Sequence, residues 1–496
     1  MTTQPQLIRQ FASRAKAFET ALTNHQAEQD TRLISYIRAN EQTAFGIAHD
    51  FKRIHSYADY RRQVRPCTHD DLAPWITRLA RGEQQILTTE PALRFEETSG
   101  STGPFKWIPY TQSLIHEFAD MVAVWLYDLH RHSPLCFSQQ LYLSISPQVK
   151  RDHTGSRLPV GDGGDLSFFR QEDANLLAQY LVAPLPTSLP PSSFYPNMLE
   201  RLLNHRLSMI SIWSPSFFLE LDRHLQIYRP ELKGLTWKQI WPDLEAMSCW
   251  THGTATGFLS DVQHRLGNAR IDAKGLISTE GIISIPYGDP QLAADPLLAL
   301  QAHFFEFRSG DQIYRSHELE IDHTYDVLLT TGGGLYRYQT GDQIKVTGFT
   351  GDRVPRLYFV GRSGKTSDLV GEKLTEAQVI QALSSASITS VACLCATDQT
   401  SYTLFTETDL AAEQLIQFEN ALRENPYYAQ ARDLGQLKPL HHCGLPEGML
   451  LSLQTKLANE NGIRDGDRKW ITLLHQDQLK KIDGLIKASL QEQVLS

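Results

Sequence analysis

Between Thr98 and Thr111 the chain reads TSGSTGPFKWIPYT, a run of small hydroxyls and glycines followed by Lys106 and a strand-like WIPY. Glycines let the backbone come close to a ligand, and successive N–H groups with hydroxyls around them make a concavity suited to an anion such as a phosphate chain. Ser99, Gly100, Ser101, Thr102, Gly103 and Lys106 are therefore candidate phosphate ligands. The spacing is not that of a Walker A loop, which needs Gly-Lys-Ser/Thr opening a helix; here Lys106 is followed by Trp107. Such a loop standing alone is more often just an ordinary turn, so its meaning depends on what the rest of the chain supplies.

Before the loop, from Gln6 to about Leu79, apolar residues recur every three or four positions, as in LISYIRANEQTAFGIA, which predicts helices with short breaks. After it, helical patterns such as Ser113–His132 and Asn197–Ile210 alternate with strand-like runs. The strands are expected at Leu141–Ser146, Gly281–Tyr287, Tyr325–Thr331, Gln343–Phe349 and Arg356–Gly361. Leu181–Pro196, rich in Pro and Ser, reads as a surface loop. The alternation predicts an α/β fold. Beyond Arg362 a helix from about Thr375, strands SVACLCATD and SYTLFTE and a helix through EQLIQFENALREN predict a smaller α+β unit. The boundary is placed in GRSGKTSD, giving a large domain over residues 1–362 and a small one over 363–496.

Three further segments bear on the loop. In LISTEGIISIPYGDP, Thr279 and Glu280 stand before a strand, a hydroxyl to bond a phosphate oxygen and a carboxylate to hold Mg²⁺; a solvated Glu in a turn is the alternative. In GGGLYRYQTGDQIKVTGF, Asp342 lies at a Gly-Asp corner where a carboxylate can accept from ribose hydroxyls, or else support its own hairpin. FVGRSGKTSDLVGEKLTEAQV brings Arg362, Lys365, Lys373 and Glu376 to the domain junction, where a closing domain can carry its cations onto phosphates, a hydrated basic linker being the alternative.

Composition narrows the class. The 496 residues are 41% hydrophobic and 21% charged, as in ordinary globular proteins, and are too many for a single small domain. A formal charge of -9 argues against a general nucleic-acid binder, which needs a basic face. Six scattered cysteines do not form a disulfide framework, and Cys393 with Cys395 lacks the second pair a zinc site requires. The N-terminal stretch lacks the apolar core of a signal peptide, and no segment is apolar for long enough to span a bilayer, so a cytoplasmic location is expected. His130, His132, His441 and His442 read as surface or loop residues.

These four segments, in this order and at these separations, resemble the GH3 family of acyl acid amido synthetases, a branch of the adenylate-forming superfamily, in its bacterial type. TAFGIAHDFKRIHSYADYRRQVR, GEQQILTTEP, ISIWSPSF and NGIRDGDRKW extend the resemblance over nearly the whole chain. It implies a large N-terminal domain of a β-barrel and two α/β sheets, followed by a mobile C-terminal α+β domain. Carried over by position, it implies that Ser99–Gly103 with Lys106 hold the ATP phosphates, and that Thr279 and Glu280 bind phosphate and magnesium. Asp342 would take the ribose, Arg362 close the corner before the hinge, and Lys373 contact phosphate as a catalytic residue. Gly253 and Thr254, in CWTHGTATG, would lie beside the adenine.

The implied reaction uses ATP and Mg²⁺ to adenylate a small carboxylic acid and passes the acyl group to an amine, an amino acid or related metabolite, releasing AMP and pyrophosphate. Trp125 and Trp213 are candidates for the acyl pocket. Neither nucleic acid nor membrane is implied as a partner, and a monomer or homodimer is expected. Two alternatives stay open: a ligase forming a thioester with CoA or a carrier protein, and a non-catalytic nucleotide-binding protein. Against the first, the C-terminal region lacks the Pro-x-x-x-x-Gly-Lys ending of acyl-CoA synthetases; Lys469 in GDRKW is a candidate to serve instead. Against the second, every charged motif position is present.

Overall fold

The computed structural model describes residues 6–98, 106–143, 156–161, 165–185, 189, 191–292, 294–362, 366–460 and 469–474. Helices Gln6–Ala21, His25–Ala39, Ala44–Ala48, Tyr57–Gln63 and His69–Ala80 occupy the N-terminal stretch, as the periodicity predicts. Their apolar faces pack into one core with the strands of a large antiparallel sheet and with helix Gln112–His132. That helix begins where the Thr111 hydroxyl accepts from Leu114 N–H, and Pro134 follows its end. Leu114, Phe118, Met121, Trp125 and Leu129 supply its buried face at helical spacing.

The large sheet has seven strands in the spatial order Gln312–Arg315, Phe304–Ser309, Thr324–Thr330, Tyr338–Thr350, Val354–Arg362, Leu297–Leu298, Ser284–Ile285, all pairs antiparallel. Among the described residues its two edge strands do not pair with each other, and its longest strands carry bulges. A second sheet is wholly parallel, ordered Gln140–Leu143, Leu207–Ser211, Ala246–Cys249, Arg270–Ala273. Its central strands are buried along their whole length, and helices Pro215–Tyr228 and Leu259–Leu266 make the crossovers that parallel pairing demands. Among the described residues this part of the chain also holds two-stranded ladders, Arg94–Glu97 with Trp107–Tyr110 and Ile277–Ser278 with Gly281–Ile282.

After Arg362, strands His441–Gly444, Tyr402–Thr406, Ala392–Ala396 and Leu473–Leu474 form a mixed sheet. One side packs on helices Glu376–Ser385 and Ala412–Leu422 as a core of its own. On the other side Cys393, Cys395, Leu450, Leu453 and Trp470 share a core with the parallel sheet and its helices.

Several sequence expectations need correction. The pattern over Asn197–Ile210 is a helix ending at Leu203 followed by a strand from Leu207, because Asn204 and His205 close the helix and LSMIS then runs buried on both faces. The Leu181–Pro196 stretch is not all loop: a helix starts at Pro191, where a missing N–H breaks no helical bond. Gly281–Tyr287 is two short strands, and Thr279–Glu280 form the turn of a hairpin and not a strand mouth. Asp342 lies inside strand Tyr338–Thr350 and not at its corner; Gly341, at φ 78°, kinks the strand just before it. The Leu141–Ser146 strand runs over Gln140–Leu143, and residues 144–146 lie outside the described set.

Candidate active site

Strands Arg94–Glu97 and Trp107–Tyr110 frame the glycine-rich segment, with Thr98 N–H donating to the Lys106 carbonyl at 3.0 Å to close its neck. Ser99, Gly100, Ser101, Thr102 and Gly103 lie outside the described residues, as does Lys365; Lys106 is exposed at the neck. The frame is joined to the second segment. The buried Tyr110 hydroxyl donates to the Thr279 carbonyl at 2.7 Å, which ties strand Trp107–Tyr110 to the Thr279–Glu280 turn. Glu280 is 5% exposed.

The third and fourth segments meet across a strand pair. Asp342 faces Arg362 in register, and Arg362 Nε donates to Asp342 Oδ1 at 3.0 Å. Asp342 is 1% exposed, yet its Oδ2 has no hydrogen-bond partner among the described residues. A buried carboxylate oxygen left unpaired costs of order 1–3 kcal/mol. Hydroxyl donors on a ribose suit it. Burial works to lower the Arg362 pKa, but the nearby charges of Asp342, Glu280 and Glu376 outweigh that and raise it. The Tyr338 phenol is pushed up by burial first and then by Glu280, with Asp342 also contributing. Glu280, Asp342, Arg362 and Tyr338 therefore share one electrostatic environment, linked through Thr279 to the loop. Lys373 is placed differently: it is exposed, at φ 45°, with no ion pair among the described residues, beside the fully buried Glu372.

A buried network missed in the sequence supports the Thr279–Glu280 turn. Ile282 N–H donates to His303 Nε2 at 3.0 Å, which leaves Nδ1 as the protonated nitrogen, 2.9 Å from Glu117 Oε2. Glu117 also accepts from the Tyr36 hydroxyl and from Gly332 N–H, in the glycine turn that leads to the Asp342 strand. One carboxylate thus ties together the N-terminal helices, the Glu280 hairpin and the Asp342 strand. A Cβ on Gly281 would come within 2.6 Å of His303 Nε2, so only glycine fits there. The available signal was an acidic residue inside the apolar stripe of SLIHEFADMVAVWL.

Gly253 and Thr254 open a 3₁₀ turn against strand Val354–Arg362. Gly253 sits at φ 61°, where a Cβ would be strained and would lie 3.1 Å from the Phe359 ring, and His252 stacks on Tyr358 at 4.2 Å between ring centroids. This turn lies beside the strand that carries Arg362. Trp125 and Trp213 come together around Lys274, which the sequence did not single out: its Nζ lies 5.3 Å and 4.8 Å from the two ring centroids. Lys469 lies over a neighbouring indole, Trp250, at 5.5 Å.

Among the described residues no three carboxylate, histidine or cysteine side chains gather as a metal site. Magnesium does not require one, since it is commonly held by one or two carboxylates together with substrate phosphates and water. A single Glu280 suits that pattern.

Comparison with known proteins shows the family. The model of the GH3 family N-terminal domain matches residues 14–234, and that of the GH3 family central domain matches residues 297–362, together more than half of the chain. The chain belongs to the GH3 family. Among GH3 relatives, a probable indole-3-acetic acid-amido synthetase of Oryza sativa subsp. japonica is 32% identical over 31% of this chain, the match spanning 34% of that relative. A putative indole-3-acetic acid-amido synthetase of the same plant is 23% identical over 66% of this chain and 76% of its own length. The solved structure of the acyl acid amido synthetase AtGH3.15, in complex with 2,4-DB, superposes with a TM-score of 0.81 at 17% identity, over 98% of this chain and 97% of that one. That likeness shows that the chain has the mixed α/β fold of this GH3 structure. The central-domain match ends at Arg362, and Asp342 lies inside it.

Proposed function

We propose that this GH3 protein is an ATP-dependent acyl acid amido synthetase that adenylates a carboxylic acid and transfers the acyl group to the amine of an amino acid or related metabolite. The observation that carries the reading is the buried Asp342–Arg362 pair with its unpartnered Oδ2, in the same electrostatic environment as Glu280 and bonded through Tyr110 to the frame of the glycine-rich segment. The amido synthetases among its relatives and its structural neighbour support it.

In this reading Asp342 accepts from the ribose hydroxyls, Ser99–Gly103 and Lys106 hold the phosphates, and Gly253 and Thr254 flank the adenine. Glu280, with Thr279 beside it, would hold Mg²⁺, whose charge offsets that of the phosphates. The acid's carboxylate oxygen forms a bond to the α-phosphorus as the bond to the pyrophosphate oxygen breaks. Arg362 and Lys373 stabilise the charge on the transferring group. The amine nitrogen then attacks the acyl carbonyl, loses a proton, and AMP leaves. Residues 363–496 act as the mobile unit that carries Lys373, and the apolar contacts of Cys393, Cys395 and Trp470 with the parallel-sheet core are where such motion has to open.

The test is acid-dependent exchange of labelled pyrophosphate into ATP, run over aryl, indolyl and aliphatic acids. It is followed by AMP release with amino acids or with CoA as acceptor. Exchange that needs an acid, with AMP release that needs an amine, is the expected result. Release that needs a thiol would make the enzyme a thioester ligase, and nucleotide binding without exchange for any acid would make it a binding protein.

A further inference from the structure

Lys373 closes a small hairpin: strands Thr366–Ser367 and Leu374–Thr375 pair, and residues 368–373 make its loop. The loop is tied from within, Gly371 N–H donating to Asp368 Oδ1 at 2.7 Å and the N–H groups of Leu369 and Val370 to the two oxygens of the Glu372 carboxylate at 2.8 Å each. The Tyr402 hydroxyl donates to the same carboxylate. Burial, and then the bond to Glu372, raise the Tyr402 pKa, so its proton stays available for donation. Glu372 is fully buried, and Lys373, one residue on, is exposed at φ 45°. A residue with a Cβ holds a left-handed backbone only where its surroundings fix it.

That fixing reaches the peptide group between Glu372 and Lys373. Its carbonyl accepts from Asn425 Nδ2 at 2.9 Å, and Asn425 is 5% exposed. Asn425 also stands at the N-cap of helix Pro426–Asp433, where its Oδ1 accepts from the N–H groups of Tyr427 and Tyr428 at 3.0 and 3.3 Å. The amide nitrogen donates as well to Gln378 Oε1 at 3.3 Å, the oxygen that accepts from Thr375 N–H at the start of helix Glu376–Ser385. One planar amide thus joins the peptide before Lys373 to the first turns of two helices. As a cap alone, Asp, Ser or Thr would serve as well. A carboxylate, however, has no hydrogen to give the Glu372 carbonyl, and the single oxygen of a hydroxyl cannot stand at both ends of the amide at once. The bond to that carbonyl is what calls for asparagine.

We propose that Asn425 is a positioning residue for Lys373, fixing the peptide plane ahead of it and with it the direction in which the ammonium meets the transferring phosphoryl group. The inference rests on the adenylating function proposed above and on the role given there to Lys373. It has a distinct kinetic consequence. The ammonium acts on charge that develops during transfer, so misdirecting it lowers kcat and leaves the binding of ATP nearly alone.

Acid-dependent pyrophosphate exchange, with the best of benzoate, indole-3-acetate and hexanoate as the acid, is measured for the wild type, Asn425→Asp, Lys373→Ala and the double variant, with thermal melts alongside. Asn425→Asp keeps the oxygens of the cap and loses the donor. It is expected to lower kcat roughly 10- to 30-fold with the KM for ATP changed less than about threefold. In the Lys373→Ala background the same substitution should change kcat less than about twofold, because no ammonium is left to direct. A merely structural role would lower kcat alike in both backgrounds. Asn425→Ser, which caps through its hydroxyl, carries the same expectation should Asn425→Asp not fold, and failure of both to fold makes the residue structural and overturns the assignment. Wild-type kcat in Asn425→Asp, a loss of equal size in the Lys373→Ala background, or a Lys373→Ala variant as active as the wild type also overturns it while leaving the adenylating function standing. If the wild type exchanges with no acid, the proposed function fails and the inference with it.

Discussion

Two acidic–basic pairs flank the segment 363–365, and they are built in opposite ways. On one side Asp342 and Arg362 sit opposite each other on paired strands, bonded and largely buried, in a framework that Glu117, His303 and Tyr110 stitch to the Glu280 turn. On the other side Glu372 is locked by the N–H groups of Leu369 and Val370 and by the Tyr402 hydroxyl, while its neighbour Lys373 points out from a left-handed turn. The first pair is preorganised before any ligand arrives. In the second, the carboxylate is structural and fixes the turn that presents the cation. In the proposed reaction the contrast becomes a division of labour: the Asp342 half would hold the nucleotide by geometry set in advance, and Lys373 would offer a charge useful only when brought to it.

The largest effect should fall on the preorganised half. Asp342→Ala is expected to reduce pyrophosphate exchange by roughly 10³-fold and to raise the KM for ATP, because it removes an acceptor for ligand hydroxyls and leaves Arg362 without its partner. Steady-state kinetics in ATP would break the comparison if KM did not move. Lys373→Ala is expected to cost exchange about 10²-fold in kcat with nucleotide binding by calorimetry unchanged. A matching loss of ATP affinity would mean that both halves hold the ground state alike.

Next comes the stitching. His303→Ala leaves Glu117 and Ile282 N–H without their buried partner and opens a cavity, and a loss of roughly 2–4 kcal/mol in urea unfolding is expected. Retained stability would mean that the turn is held by other contacts.

Acidification offers a smaller, signed test. Burial lowers the pKa of His25, which bonds Ser316 and the Asp352 carbonyl, to about 4. The unfolded chain, with an ordinary imidazole, binds the proton first as pH falls. The stability associated with neutral His25 is therefore fully present above about pH 6.5 and lost as pH falls toward 4, about 2 kcal/mol by pH 5. The His25→Gln variant should lose that part of the slope in denaturant midpoints between pH 7 and 5. Smallest of all, Lys373→Gly should leave stability unchanged or raise it by up to ~1 kcal/mol, since glycine adopts φ 45° freely, while still losing exchange. A clear destabilisation would mean that the lysine side chain has a structural role.

Much of the strand and helix content was legible because period and length agree, as in Ser113–His132 and Arg356–Gly361, where the observed elements differ from the expected ones by one or two residues. Misreadings arose where one pattern serves two structures. LLNHRLSMI is apolar at helical spacing, yet two polar residues suffice to end a helix, and LSMIS forms a strand because parallel neighbours wait on both sides. Asp342 was legible as a ligand candidate, but its burial and its bond to Arg362, twenty residues on, depend on strand register. Lys274 gave no sequence signal, since a lysine before a glycine ordinarily marks a solvated turn.

The sequence by itself determined the order of the chemical groups, the alternation of helix and strand, and the family, because these depend on local periodicity and on residue types at fixed separations. Only the tertiary structure decided that Glu280, Asp342 and Arg362 act on one another, that Glu117 and His303 stand behind them, and that Trp125, Trp213 and Lys274 meet. The physical reason is that burial and Coulomb interaction act through space, and residues hundreds of positions apart become neighbours only once the sheets have paired and the core has closed.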